Sequence, residues 1–141
     1  MSEAAVPAPR RLQITGLHHV TLLCASVERS ASFYRDLLGL QLVDRTRNAD
    51  DPNAQHLMFA TGGTMVTCME YPELEQGVVG RGSTHHFALG VGSDEELAAW
   101  RDYLRSRGVD CTELHDRGRF KSIYVRDPDG HLVEIATRVA A

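Results

Sequence analysis

The second half of this chain repeats the first at a fixed offset of 67 positions, which restricts the fold to two copies of one supersecondary unit. Leu17-His18-His19-Val20-Thr21-Leu22 returns as Thr84-His85-His86-Phe87-Ala88-Leu89, so His19 and His86 are equivalent. Gly63-Thr64-Met65-Val66-Thr67 returns as Gly130-His131-Leu132-Val133-Glu134, and Phe33 and Leu37 map onto Trp100 and Leu104. The two copies differ where it matters for chemistry: Glu134 of the second stands where the first has Thr67.

Each copy has the same predicted order of elements. Ile14 to Cys24 is β-branched and apolar and reads as a strand. Ser26 is placed to cap a helix that carries Val27, Ala31, Tyr34, Leu37 and Leu38 on one face, and Gly39 closes it. Strands follow over Leu40 to Thr46, His56 to Thr61 and Thr64 to Tyr71, the last two joined at Gly62-Gly63. After a Gly- and Pro-rich stretch the order returns. A strand spans Thr84 to Val91, and a helix capped by Ser93 and Glu96 ends near Gly108. Strands over Val109 to Leu114, Phe120 to Val125 and Leu132 to Thr137 complete the copy, with a turn at Asp127-Pro128-Asp129-Gly130. The expected fold is therefore α+β, two βαβββ modules in tandem. The expected boundaries are a flexible arm over 1–12, modules over 13–71 and 84–141, and a linker over 72–83. One sheet face of each module needs a cover, from the same chain or from a second one.

A formal charge of -4 with dispersed basic residues gives no nucleic-acid footprint. No apolar run has the length of a membrane span, and Met1 to Pro9 lacks an apolar signal core, so a cytoplasmic location is expected. Cys24, Cys68 and Cys111 are odd in number and widely spaced, as reduced thiols are. None belongs to a Cys-x-x-Cys pair, which argues against a thiolate zinc site.

The metal-binding candidates lie in the repeats. Strand alternation puts His19 and Thr21 on one face and His18 and Val20 on the other, so His19 pairs with His86 or His18 with His85. Glu134 sits in the apolar run Leu132-Val133-Glu134-Ile135-Ala136, where a carboxylate needs a cation or a metal. A lone strand histidine is more often a hydrogen-bonded core or edge residue, and Glu134 has Arg117, Arg126 and Arg138 as ordinary partners. Matched doublets in register with a buried-strand carboxylate favour the metal. Two imidazoles and one carboxylate, with positions left open, suit non-heme Fe(II).

These residues, with the Val125-Arg126-Asp127-Pro128-Asp129-Gly130 turn, resemble the vicinal oxygen chelate superfamily over residues 14 to 138. That superfamily includes lactoylglutathione lyases, fosfomycin- and bleomycin-resistance proteins and extradiol dioxygenases. The resemblance implies paired βαβββ modules and selects the second histidine of each doublet, giving His19, His86 and Glu134 as ligands. Within it, His56-Leu57-Met58-Phe59, Gly63-Thr64-Met65-Val66-Thr67 and Arg117 to Arg126 are similar to hydroquinone-type ring-cleaving dioxygenases. By position, that likeness implies catalytic roles around the metal for Arg117, Tyr124, Thr21, His18 and His85. Those enzymes have four modules where this chain has two, so a homodimer is expected.

The implied activity is ring cleavage of a small dihydroxylated aromatic by O2, with Fe(II) or Mn(II) as cofactor. The alternatives are an isomerase like lactoylglutathione lyase, using Ni(II) or Zn(II), and a non-catalytic binding member. Thr67 in place of a second carboxylate argues against the isomerase. Retention of the whole ligand triad argues against a mere binding module. Plainer roles stand beside these: a strand aromatic for Tyr124, a solvated loop cation for Arg117, and surface or loop histidines for His56 and His115.

Overall fold

The computed structural model describes residues 12–47, 51–77 and 79–138. The arm expected over 1–12 lies outside them except for Leu12. Among the described residues no helix is long and apolar enough to cross a membrane.

The first module runs β1 (His19–Cys24), α1 (Val27–Ala31), a π-helical segment (Ser32–Leu37), β2 (Gln41–Arg47), β3 (Gln55–Ala60) and β4 (Met65–Glu70). The second runs β5 (Phe87–Gly90), α2 (Asp94–Ser106), β6 (His115–Asp116), β7 (Lys121–Arg126) and β8 (Leu132–Ala136). Each makes one four-stranded mixed sheet, ordered β1-β4-β3-β2 and β5-β8-β7-β6. β1 pairs in parallel with β4 and β5 with β8, and the remaining pairs are antiparallel. These are the tandem βαβββ modules expected from the repeat.

Two strands start later than the sequence suggests, for one reason: a strand extends only as far as its partner. β4 begins at Met65, past the Gly62-Gly63 turn, and its first bond runs from the Met65 N–H to the His18 carbonyl. Residues 14–17 therefore lie beyond the end of β4, and β1 starts at His19. β8 likewise begins at Leu132, past the Asp127–Gly130 turn, so β5 starts at Phe87 rather than Thr84. Residues 109–114 form no strand either. There the Thr112 hydroxyl accepts from the Tyr124 N–H at 3.1 Å, taking the place of a ladder carbonyl.

The caps behave as expected. Ser26 Oγ accepts from Arg29 N and Ser93 Oγ from Glu96 N, whereas Glu96 reaches back to Gly92 N rather than to Ser93 N. Glu70 accepts from Val27 N at 2.9 Å, a carboxylate at the positive end of α1. Gly39 takes φ 77°, the left-handed conformation that ends the helical stretch. Gly130 takes φ 91°, a backbone conformation that strains any residue carrying a Cβ, so this turn favours glycine.

Helices cover one face of each sheet, α1 on β3 and β4 and α2 on β7. Leu22, Leu57, Phe59, Val66 and Cys68 of the first sheet join Leu97, Leu104, Ile123, Val125, Val133 and Ile135 of the second module in one apolar core. Polar contacts tie the modules together. Ala25 N donates to Asp129 Oδ1 at 2.9 Å, His131 Nε2 bonds the Leu23 carbonyl at 2.8 Å, and Tyr103 donates to the Leu37 carbonyl at 2.8 Å.

The buried Tyr34 hydroxyl donates to Asp127 Oδ2 at 2.7 Å. Burial, together with the Asp127 charge, pushes that hydroxyl far above its ordinary pKa, so it remains a donor. Tyr34→Phe leaves a buried carboxylate oxygen unmatched and should lower the unfolding free energy by about 1.5–3 kcal/mol. Urea denaturation checks this; a loss below about 0.5 kcal/mol would show that the bond does not hold the modules together.

Candidate metal centre

Glu134 lies mid-strand in β8, on the sheet face away from α2, and is 4% exposed. Its position follows from alternation: Val133 and Ile135 enter the core, so Glu134 points the other way. Both of its oxygens are engaged. His86 Nε2 lies 2.9 Å from Oε1, and the Tyr124 hydroxyl donates to Oε2 at 3.0 Å. Tyr124 is the register partner of Glu134 across β7 and β8. Arg117 Nη2 donates to the Tyr124 hydroxyl at 2.8 Å, and its guanidinium sits 5.3 Å from that ring's centre. His85 Nδ1 lies 2.8 Å from His86 Nδ1. Five residues expected at the site, His85, His86, Arg117, Tyr124 and Glu134, are thus one connected chain.

The first module carries the repeat's counterpart. His18 Nδ1 and His19 Nδ1 are again 2.8 Å apart. Thr21 is the register partner of Thr67 as Ala88 is of Glu134, so Thr67 occupies the carboxylate's place. The two threonine hydroxyls bond each other at 2.7 Å, and Thr67 is 2% exposed. His56 stands on the same face; burial lowers its imidazole pKa, with Asp44 opposing and His19 adding to the effect.

The structure does not bring the two halves together within one chain. Among the described residues no group of three or more His, Cys, Asp or Glu side chains is close enough to share a metal ion. His18 and His19 therefore form no such group with the His86–Glu134 pair.

The donor set fits a divalent metal. Two ligands each about 2.1 Å from an ion and at right angles stand about 3 Å apart. His86 Nε2 and Glu134 Oε1 already have that spacing. The outer contacts also suit ligation: with Nδ1 engaged by His85, Nε2 is the nitrogen left to His86 for a metal, and Tyr124 holds the far carboxylate oxygen. His19 has the same Nδ1 contact.

His115, read from the sequence as a surface or loop histidine, also borders this cluster. Its ring packs edge-on against Tyr124 with centroids 5.7 Å apart, because β6 lies beside β7 in the same sheet. The signal available was its two-residue spacing from Arg117.

The family model described as the glyoxalase/bleomycin resistance protein/dioxygenase superfamily matches residues 16–135. The chain belongs to this superfamily. A relative of Bacillus subtilis (strain 168), named "Putative ring-cleaving dioxygenase MhqO", is 33% identical over 129 residues, covering 87% of this chain and 40% of its own length. The metallothiol transferase FosB of Staphylococcus haemolyticus is 29% identical over 126 residues, covering 88% of this chain and 84% of its own length. A solved structure from Bacillus subtilis subsp. subtilis str. 168, named a "putative dioxygenase", superposes with a TM-score of 0.79 at 31% identity, over 88% of this chain and 41% of that one. The chain thus spans about two fifths of the length of these two Bacillus subtilis relatives.

Proposed function

We propose that this protein is a divalent-metal, ring-cleaving dioxygenase acting on a small dihydroxylated aromatic, with its metal held between two copies of the chain. The observation that carries the reading is the His86–Glu134–Tyr124–Arg117 chain, with a threonine where a second carboxylate would close the ligand set. The names of its longer relatives support the chemistry.

His19 of one copy would join His86 and Glu134 of the other. Within one chain His19 is exposed and forms no ligand group with that pair. Just before it, Ile14 and Leu17 are 96% and 69% exposed, apolar surface that a second copy would cover. Each dimer then has two equivalent sites.

Fe(II), or Mn(II), would supply Lewis acidity and open positions for a substrate oxygen and O2. The protein groups do the rest. The His85 and His18 contacts fix the tautomer and ring angle of His86 and His19. Tyr124 donates to Glu134 Oε2 and accepts from Arg117, so its hydroxyl is held beside the ligands, where its one proton would turn from Glu134 to a substrate oxygen when substrate binds. Arg117 places a positive charge over the Tyr124 ring, where a bound phenolate would be stabilised.

The test is anaerobic loading with Fe(II), then oxygen uptake with catechols and hydroquinones. Tyr124→Phe and Arg117→Ala should keep the metal and lower turnover by about 10–1000-fold, as loss of a proton-handling or charge-stabilising group does. Wild-type kinetics in both variants would confine the chemistry to the ligands. A second reading, metal-dependent thiol transfer, is favoured by one observation: FosB matches this chain over nearly its own full length. Thiol consumption with an epoxide co-substrate, measured in parallel, separates the two.

A further inference from the structure

The sheet face that carries His19 holds every methionine among the described residues. Register arranges it in rows: His19 beside Met65, Thr21 beside Thr67 and then Met58, Leu23 beside Met69. Met58, Met65 and Met69 point away from the helices and are each half-buried. The helix side of the same strands carries Leu22, Leu57, Phe59, Val66 and Cys68, and the buried core contains no methionine. Methionine is the usual filler of irregular core gaps, yet here it is confined to the uncovered face. At the equivalent places the second sheet has Leu132, Tyr124 and Ala136 around Glu134. One sheet therefore offers the charged ligand and its proton partner, and the other offers a soft apolar surface.

We propose that Met58, Met65 and Met69 form the wall against which the substrate's ring is held, contributed by the opposite copy from the one that supplies Glu134 and Tyr124. This rests on the shared-site reading above, because it is His19 that brings Met65 next to the metal. Thioethers are polarisable, favour contact with aromatic rings and adapt to irregular shapes. The Thr21 and Thr67 hydroxyls within the wall satisfy each other, so they demand no hydrogen bond from a ligand. Such a wall selects rings with apolar substituents over bare ones. Each buried carbon is worth roughly fourfold in affinity. A 4-tert-butyl group should therefore tighten catechol binding by roughly tenfold or more.

The experiment uses the full chain loaded with Zn(II), which is diamagnetic, and labelled with ¹³C at the methionine methyls. On adding 4-tert-butylcatechol, the Met58, Met65 and Met69 signals should shift. Met58→Gln and Met65→Gln should keep their metal while the preference for 4-tert-butylcatechol over catechol falls towards unity. Met58→Leu should retain that preference. The wall is overturned by catechol binding that leaves the three signals in place, by an unchanged preference in both Gln variants, or by no catechol binding at all. Shifted signals with no oxygen uptake by the Fe(II) form would instead sink the dioxygenase reading and leave the wall standing.

Discussion

Glu134→Gln is expected to leave the chain folded and unable to retain a metal. The substitution is isosteric, and a glutamine amide can still meet His86 Nε2 and the Tyr124 hydroxyl, so the buried polar contacts of the metal-free protein survive. What is lost is the anionic donor, the only carboxylate of the proposed ligand set. The fall in affinity should exceed the about 10–100-fold that loss of an outer partner costs. Metal analysis after anaerobic loading and gel filtration reads the result, with circular dichroism confirming the fold. His86→Ala should also lose the metal but act differently on stability. It leaves a 4%-exposed carboxylate with one partner fewer, at a cost of about 1–3 kcal/mol. Metal content equal to wild type in both variants would remove the site from these residues.

Thr67→Glu should destabilise the metal-free protein. Thr67 is 2% exposed and hydrogen-bonds the Thr21 hydroxyl at 2.7 Å; a carboxylate there has His19 in the place of His86, but Met58 where Glu134 has Tyr124, so its second oxygen has no donor. Glu134 survives in the equivalent position because His86, Tyr124 and, through Tyr124, Arg117 surround it. A buried carboxyl that lacks the tyrosine and arginine of that set costs about 1–3 kcal/mol. Urea denaturation of the metal-free variant measures this. Added metal should restore part of the loss, since position 67 borders the same face as His19, and oxygen uptake should vanish as a fourth ligand fills an open position. A variant as stable as wild type with full oxygenase activity would show that residue 67 faces elsewhere.

The repeat made the module legible because each copy folds by the same local rules. Capping at Ser26 and Ser93, closure at Gly39 and the turn at Asp127–Gly130 all depend on neighbours within a few residues. Strand ends were less legible, because β1 and β5 stop where β4 and β8 stop, and partner lengths are not written in the strand itself. The π-helical widening at Ser32–Leu37 likewise leaves no mark in the apolar spacing. The site was legible as an inventory. Buried Glu134 and its equivalence to Thr67 follow from alternation and offset, but equivalence does not say whether His19 and His86 meet. That depends on how the modules are held, through Tyr34–Asp127 and Ala25–Asp129, contacts 93 and 104 residues apart in sequence. No local pattern encodes them.

The central claim is a metal centre shared between two copies, and complementation tests it most directly. His19→Ala and Glu134→Gln chains, each inactive alone, are mixed in equal amounts, dissociated in mild denaturant and reassociated. If each site takes His19 from one copy and His86 with Glu134 from the other, a mixed dimer contains one fully intact site and one doubly impaired site. With half of all dimers mixed, metal content and oxygen uptake should recover to about a quarter of wild type. If every site lies within a single chain, no combination restores a complete ligand set, and a mixture no better than its parts contradicts the account.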